Sequence, residues 1–94
     1  MVRTKESGME YNVLVEFDEL SDDEAERVLT DMSGWHPSIG WCPHGRPRVT
    51  VTVDGLTVRG AGDWGLSEVE RFVGRRARSV EVLPTADFDA RAGV

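Results

Sequence analysis

The stretch RVTVTV, residues 48–53, constrains the fold more than any other part of the chain. Its strict alternation puts Val49, Val51 and Val53 on one face and Thr50 and Thr52 on the other, the pattern of a half-buried strand. A face of three valines has to be covered, and 94 residues supply only one two-layer core to cover it. YNVLVEF (11–17) repeats the pattern, with Tyr11, Val13, Val15 and Phe17 on one side and Asn12, Leu14 and Glu16 on the other. SVEVL (79–83) is a further strand with Val80 and Val82 inward, ended by Pro84. Residues 38–42 make a short strand in which Ile39 and Trp41 share the inward face, and Pro43-His44-Gly45-Arg46-Pro47 has the punctuation of a tight connection.

Two helices separate these strands. In LSDDEAERVLTDMSG (20–34), Ser21 and Glu24 form a capping box, and Asp22 and Asp23 suit the positive end of the helix dipole. Ala25, Val28, Leu29 and Met32 make the apolar stripe, and Gly34 suits the stop. Farther on, Ser67 and Glu70 spell a second capping box, followed by a stripe of Val69, Phe72 and Val73. Residues 54–66 admit two readings. Asp54-Gly55 between VTV and LTV is a hairpin signal that adds a strand over 56–59. Alternatively the second helix starts early, since Val58, Ala61, Gly62 and Gly65 have helical spacing, although three glycines in six residues weigh against it.

Strand, helix, strand, strand, helix, strand is the order of a ferredoxin-like βαββαβ two-layer α+β sandwich, an antiparallel sheet with both helices on one face. Right-handed crossovers then put the first and third strands in the centre. The domain spans residues 9–84, with a flexible N-terminal tail over 1–8 and a polar C-terminal tail over 85–94, in which Phe88 is the one sizeable apolar side chain.

WHPSIGWCPHGRPRVTVTV followed by SVEVLPTADFDAR resembles a set of small ferredoxin-like proteins of actinobacteria and their phages. His36-Pro37 and Phe88-Asp89 are the matching positions, and the likeness covers roughly residues 11–91. The composition agrees with a GC-rich source, as the basic residues are ten arginines and a single lysine. The resemblance implies the fold and a bacterial cytoplasm, or a host cytoplasm if phage-encoded. It brings no catalytic residues. Its members tend towards a continuous second helix from about position 56, where this chain has glycines.

The chemistry-bearing residues crowd into GWHPSIGWCPHGRPR (34–48), which holds both histidines and the single cysteine. His36, Cys42 and His44 are candidate metal ligands, with Asp31 or Asp54 as a fourth, but structural zinc usually takes four ligands in recognisable pairs. The plainer reading makes His36 and His44 loop residues and Cys42 a small strand residue. Cys42 and His44, two apart on an extended segment, also suggest a thiol nucleophile, which requires a lowered cysteine pKa and an oxyanion hole. The acids Asp18, Glu19, Asp22, Asp23, Glu24 and Glu26 lack the spacing of a calcium loop and read as a solvated surface.

Charge narrows the partners. Net charge is −6, and residues 1–32 carry ten acidic side chains against three basic ones. This excess disfavours nucleic acid and anionic membranes. The sheet face bearing Leu14, Glu16, Thr50 and Thr52 also lacks the aromatics of an RNA-binding sheet. A lone cysteine forms no internal disulfide, which favours a reducing cytoplasm, and the N-terminus does not read as a secretion signal. No cofactor is expected.

The expectation is a non-enzymatic interaction module that binds a protein partner or forms a homo-oligomer, in the simplest case a dimer. Its contact residues are the open sheet face, Leu14, Cys42, Thr50, Thr52 and Leu83, with Trp64 as an anchor or a lid over the core. The arginines Arg71, Arg75, Arg76 and Arg78 would meet acids of the first helix on another copy. The alternative is a metal- or small-molecule-binding regulatory module using residues 36–44.

Overall fold

A computed structural model describes residues 9–55 and 57–91. The elements are β1 (Met9–Glu16), α1 (Asp22–Asp31), a 3₁₀ turn (Ser33–Trp35), β2 (Ser38–Trp41), β3 (Pro47–Gly55), α2 (Val58–Val73), β4 (Ser79–Pro84) and α3 (Thr85–Arg91). The molecule is an α+β fold with one four-stranded antiparallel sheet in the order β2-β3-β1-β4. The two most apolar strands occupy the centre of the sheet. In the β1–β3 register Val13 lies opposite Val51 and Val15 opposite Val49. The odd-numbered side chains of both strands form a single core with Phe17, Val28 and Met32 from the α1 side and Ala61, Val69 and Val73 from α2.

The α1 capping box is complete. Ser21 Oγ accepts from the Glu24 backbone N–H (3.1 Å), and Glu24 Oε1 accepts from the Ser21 N–H (2.8 Å). The apolar stripe is narrower than its spacing implies: Val28 and Met32 are fully buried, Ala25 is half-buried and Leu29 is exposed. The stop is not at Gly34. The chain turns at His36, which adopts the left-handed conformation (φ 50°) after the 3₁₀ turn.

α2 resolves the two readings of 54–66 in favour of the early helix. Thr57, not Ser67, is its N-cap, its hydroxyl accepting from the Gly60 N–H (2.9 Å). Ser67 and Glu70 lie inside the helix, so their apparent capping box is a coincidence of spacing. The glycines that argued against a helix let it approach the sheet closely. A Cβ at Gly65 would stand 2.9–3.0 Å from three side-chain atoms of Val13, and one at Gly62 would stand 2.7 Å from Val82 Cγ2. The helix ends at Gly74 (φ 85°), where Arg27 of α1 donates to the carbonyls of Phe72 and Val73, each at 3.1 Å. Leu56, part of the alternative hairpin strand, and the tail 1–8 lie outside the described residues.

Two inward assignments fail at the sheet edges. Trp41, at the end of β2, is 66% exposed, and Val80 on β4 is exposed as well, because the helices cover the middle of the sheet more fully than its borders. Ile39 and Val82, nearer the helices, do pack against the core. Residues 85–91, read from sequence as a polar tail, form α3, which packs against β1 and β4.

Candidate functional site

The face of the sheet turned away from α1 and α2 is less open than its small side chains suggest. Leu14 is only 3% exposed and Thr50 and Cys42 are also buried, although none of the three belongs to the main core cluster. Thr52 and Leu83 are half-buried. α3 packs against β1, the strand that carries Leu14, and against β4. Leu14, Thr50 and Cys42 therefore do not form the flat exposed surface expected of them.

The arginines are also placed differently from the expectation. Arg75 grips Glu24 with two hydrogen bonds (Nε to Oε2, 2.9 Å; Nη2 to Oε1, 3.0 Å) and lies 3.7 Å from Glu19. Arg78 donates to Asp18 (3.0 Å), Arg71 to Glu68 (2.7 Å), and Arg76 lies 3.6 Å from Glu70. Acidic α1 and the basic exit of α2 are thus joined within one copy. The hydrogen bonds from Arg75, and then those from Ser21, hold the Glu24 carboxyl down to about 2.

Two groupings remain that can meet a ligand. They sit at opposite ends of the β1–β3 pair.

At the end where Glu10 faces Asp54, a cleft of about 360 Å³ opens between the 3₁₀ turn, α2 and β3. Its walls carry Trp35, His36, Trp64, Glu10 and Asp54. The indoles of Trp35 and Trp64 are tilted 45° to each other with centroids 5.4 Å apart. Trp35 packs on the core from one side, while Trp64, on α2, is 41% exposed. β2 pairs with β3 only as far as Thr50, so among the described residues Val51–Gly55 has a strand neighbour on the β1 side alone. Among the described residues no lysine or arginine lines the cleft.

At the other end, where Glu16 faces Arg48, the β2–β3 connection folds back tightly. Cys42 N–H donates to the Arg46 carbonyl and Gly45 N–H to the Cys42 carbonyl, both at 2.8 Å. Gly45 takes φ 94°, a conformation a side chain would strain. This turn brings Cys42 and His44 together with Glu16, and the ligating atoms of the three lie within 4.8 Å of one another. His36 is not among them; it lines the cleft instead, and Asp31 and Asp54 are not in the cluster either. The sequence places Glu16 on the sheet face but not among the candidate ligands, because only the β1–β3 register sets it beside a turn some thirty residues away. Burial, and then the Glu16 charge, push the Cys42 thiol above its ordinary pKa. A thiol so held is poorly prepared to act as a nucleophile.

No family model matches the chain, and no curated protein or solved structure matches it either. Among the described residues no helix is long and apolar enough to cross a membrane.

Proposed function

We propose that the chain is a non-enzymatic interaction module whose contact site is the Trp35–Trp64 cleft, and that its partner is a protein offering an extended, positively charged segment. The observation carrying this reading is the joint presence of two indoles and two carboxylates, Glu10 and Asp54, beside a length of β3 that has a strand on one side only. Indole faces attract cations through their quadrupole, and carboxylates add charge attraction. A length of strand with a paired strand on one side only can accept an extended backbone on the other. The net charge of −6 favours the same class of partner.

The strand order β2-β3-β1-β4, with both long helices contributing to one core, supports reading the fold as ferredoxin-like. The single cysteine supports a reducing, cytoplasmic setting. His36-Pro37 and Phe88-Asp89 support kinship with the actinobacterial and phage proteins.

Tryptophan fluorescence tests the reading. An extended lysine-rich peptide at low salt should shift the emission saturably, and a glutamate-rich peptide of equal length should not. Trp64→Ala and Glu10→Gln should each weaken the response. Equal responses to both peptides, or none to either, would sink the proposal. Self-association is a second form of the same reading, favoured by exposed Trp41 and Val80 on the two edge strands. Light scattering on the peptide-free protein separates the two forms.

A further inference from the structure

We infer that Glu16, Cys42 and His44 form a binding site for a zinc-like divalent cation, with water completing a tetrahedral shell. The site is independent of the cleft. Thiolate, imidazole and carboxylate are the three donor types that zinc accepts. Tetrahedral ligands at zinc bond lengths stand roughly 3.5 Å apart. His44 Nε2 and Glu16 Oε2 are already 3.6 Å apart, and the whole triad spans no more than 4.8 Å. Small side-chain rotations therefore close the shell without moving the backbone. The turn supplies the rigidity, since its two 2.8 Å backbone bonds fix Cys42 and His44 relative to each other. Cys42 is buried and Glu16 mostly so, while the His44 side chain is 49% exposed, which leaves an approach from solvent.

Arginines hold the site in the metal-free protein. Arg46 Nη1 lies 3.3 Å from both Glu16 Oε2 and His44 Nδ1, and Arg78 Nε lies 3.8 Å from Glu16 Oε2. Ser79 Oγ donates to Glu16 Oε1 at 3.3 Å. These contacts are long, and both arginines have a second acid in reach: Asp18 Oδ1 is 3.7 Å from Arg46 Nε and 3.0 Å from Arg78 Nη1. An arriving cation takes the Glu16 oxygen and His44 Nε2; Arg46 leaves His44 Nδ1 for Asp18, and the Nε2 proton passes through solvent to the Nδ1 so freed, which exposes the Nε2 lone pair. The thiol proton leaves to solvent as the sulfur–metal bond forms. Thiolate and carboxylate then offset the two positive charges of the ion.

Arg46 therefore competes with the metal, which gives a test that a merely structural cluster would fail. Co²⁺ is the probe, because it reports its ligands optically. The purified protein, freed of metal by chelator, should bind one Co²⁺ with a tetrahedral visible spectrum and a near-ultraviolet thiolate-to-cobalt charge-transfer band. Zn²⁺ should displace it. Cys42→Ala should abolish the charge-transfer band, and His44→Ala and Glu16→Gln should each weaken binding by roughly tenfold or more. Arg46→Gln should tighten it, and His36→Ala should leave it unchanged. His44 is exposed, so its variant tests the site even if Cys42→Ala fails to fold. Absence of the charge-transfer band in the native protein overturns the inference. So does a loss of binding in His36→Ala that His44→Ala does not share.

Discussion

Cys42 shows how local surroundings decide whether a reactive group reacts. A thiolate in this position would be desolvated and would face the Glu16 carboxylate, while Arg48 and Arg46 act in the opposite direction more weakly. The expected result is slow alkylation of the native protein at neutral pH, well below the rate of the same thiol in denaturant. Glu16→Gln should speed it, because removing the negative charge favours the thiolate, yet it should stay slow because burial is the larger cause. Iodoacetamide kinetics followed by mass spectrometry measure both. A native rate matching the denatured one would show that the thiol is neither buried nor raised. Gly65 makes a comparable case in packing. Replacing it by Ala improves helix propensity by about 1 kcal/mol but drives a methyl into Val13, whose side chain is wholly buried between α2 and β3 neighbours. The net expectation is a loss of about 1–2 kcal/mol in denaturant unfolding. Gly62→Ala should cost less, as it meets chiefly one methyl of Val82, a half-buried side chain on an edge strand. Combining Gly65→Ala with Val13→Ala should cost less than the sum of the two single changes.

These glycines also explain what the sequence concealed. β3, β1 and α1 were legible because hydrophobic period, capping residues and helix length agree there. α2 was ambiguous because glycine penalises an isolated helix, whereas this helix requires residues without a Cβ against Val13 and Val82. Trp41 misled because alternation gives the face of a strand but not how far the covering layer extends over it. Cys42 and His44 were correctly paired by spacing, whereas Glu16 needed the register. The junction of α1 and α2 carries its own prediction. Glu24 serves both the Ser21 cap and the Arg75 pair, and its folded pKa of about 2 lies below the roughly 4.3 of a free glutamate. A depressed carboxyl stabilises the fold above the unfolded value, and that contribution is lost as pH falls from about 5 towards 2. Glu24→Gln keeps an acceptor for the cap but loses the charge. It should cost about 1–2 kcal/mol at pH 7, allowing for screening at the half-exposed Arg75. The variant and the native protein should converge near pH 2 in thermal unfolding. A gap that stays constant with pH would mean that the charge contributes nothing.

The charge map of the whole chain separates its two candidate sites. The acids of the first third are met in part by arginines from the turn and the α2 exit: Arg46 and Arg78 at Asp18 and Glu16, Arg75 at Glu24 and Glu19. That end of the molecule is nearly compensated, so the electrostatic pull between copies that the sequence suggested acts within each copy. At the other end the described residues that line the cleft include the carboxylates Glu10 and Asp54, and the net charge of the chain is −6. The register Glu10↔Asp54 and Glu16↔Arg48 puts the two sites six strand residues apart, on the order of 20 Å, which is about two Debye lengths at 0.1 M salt. They should therefore behave as separate sites with different salt responses. Binding of a lysine-rich peptide at the cleft rests on exposed carboxylates and should weaken several-fold between low salt and 0.5 M, roughly five times the ionic strength at which the Debye length is 10 Å. Co²⁺ binding at Glu16, Cys42 and His44 rests on short coordinate bonds inside a mostly buried cluster, and should change little over the same range. Titrating both ligands in one salt series, with His44→Ala and Trp64→Ala as the crossed controls, measures the separation directly. Each variant should lose its own ligand and keep the other. If either substitution alters both affinities, the two ends of the β1–β3 pair are coupled, and they form one site rather than two.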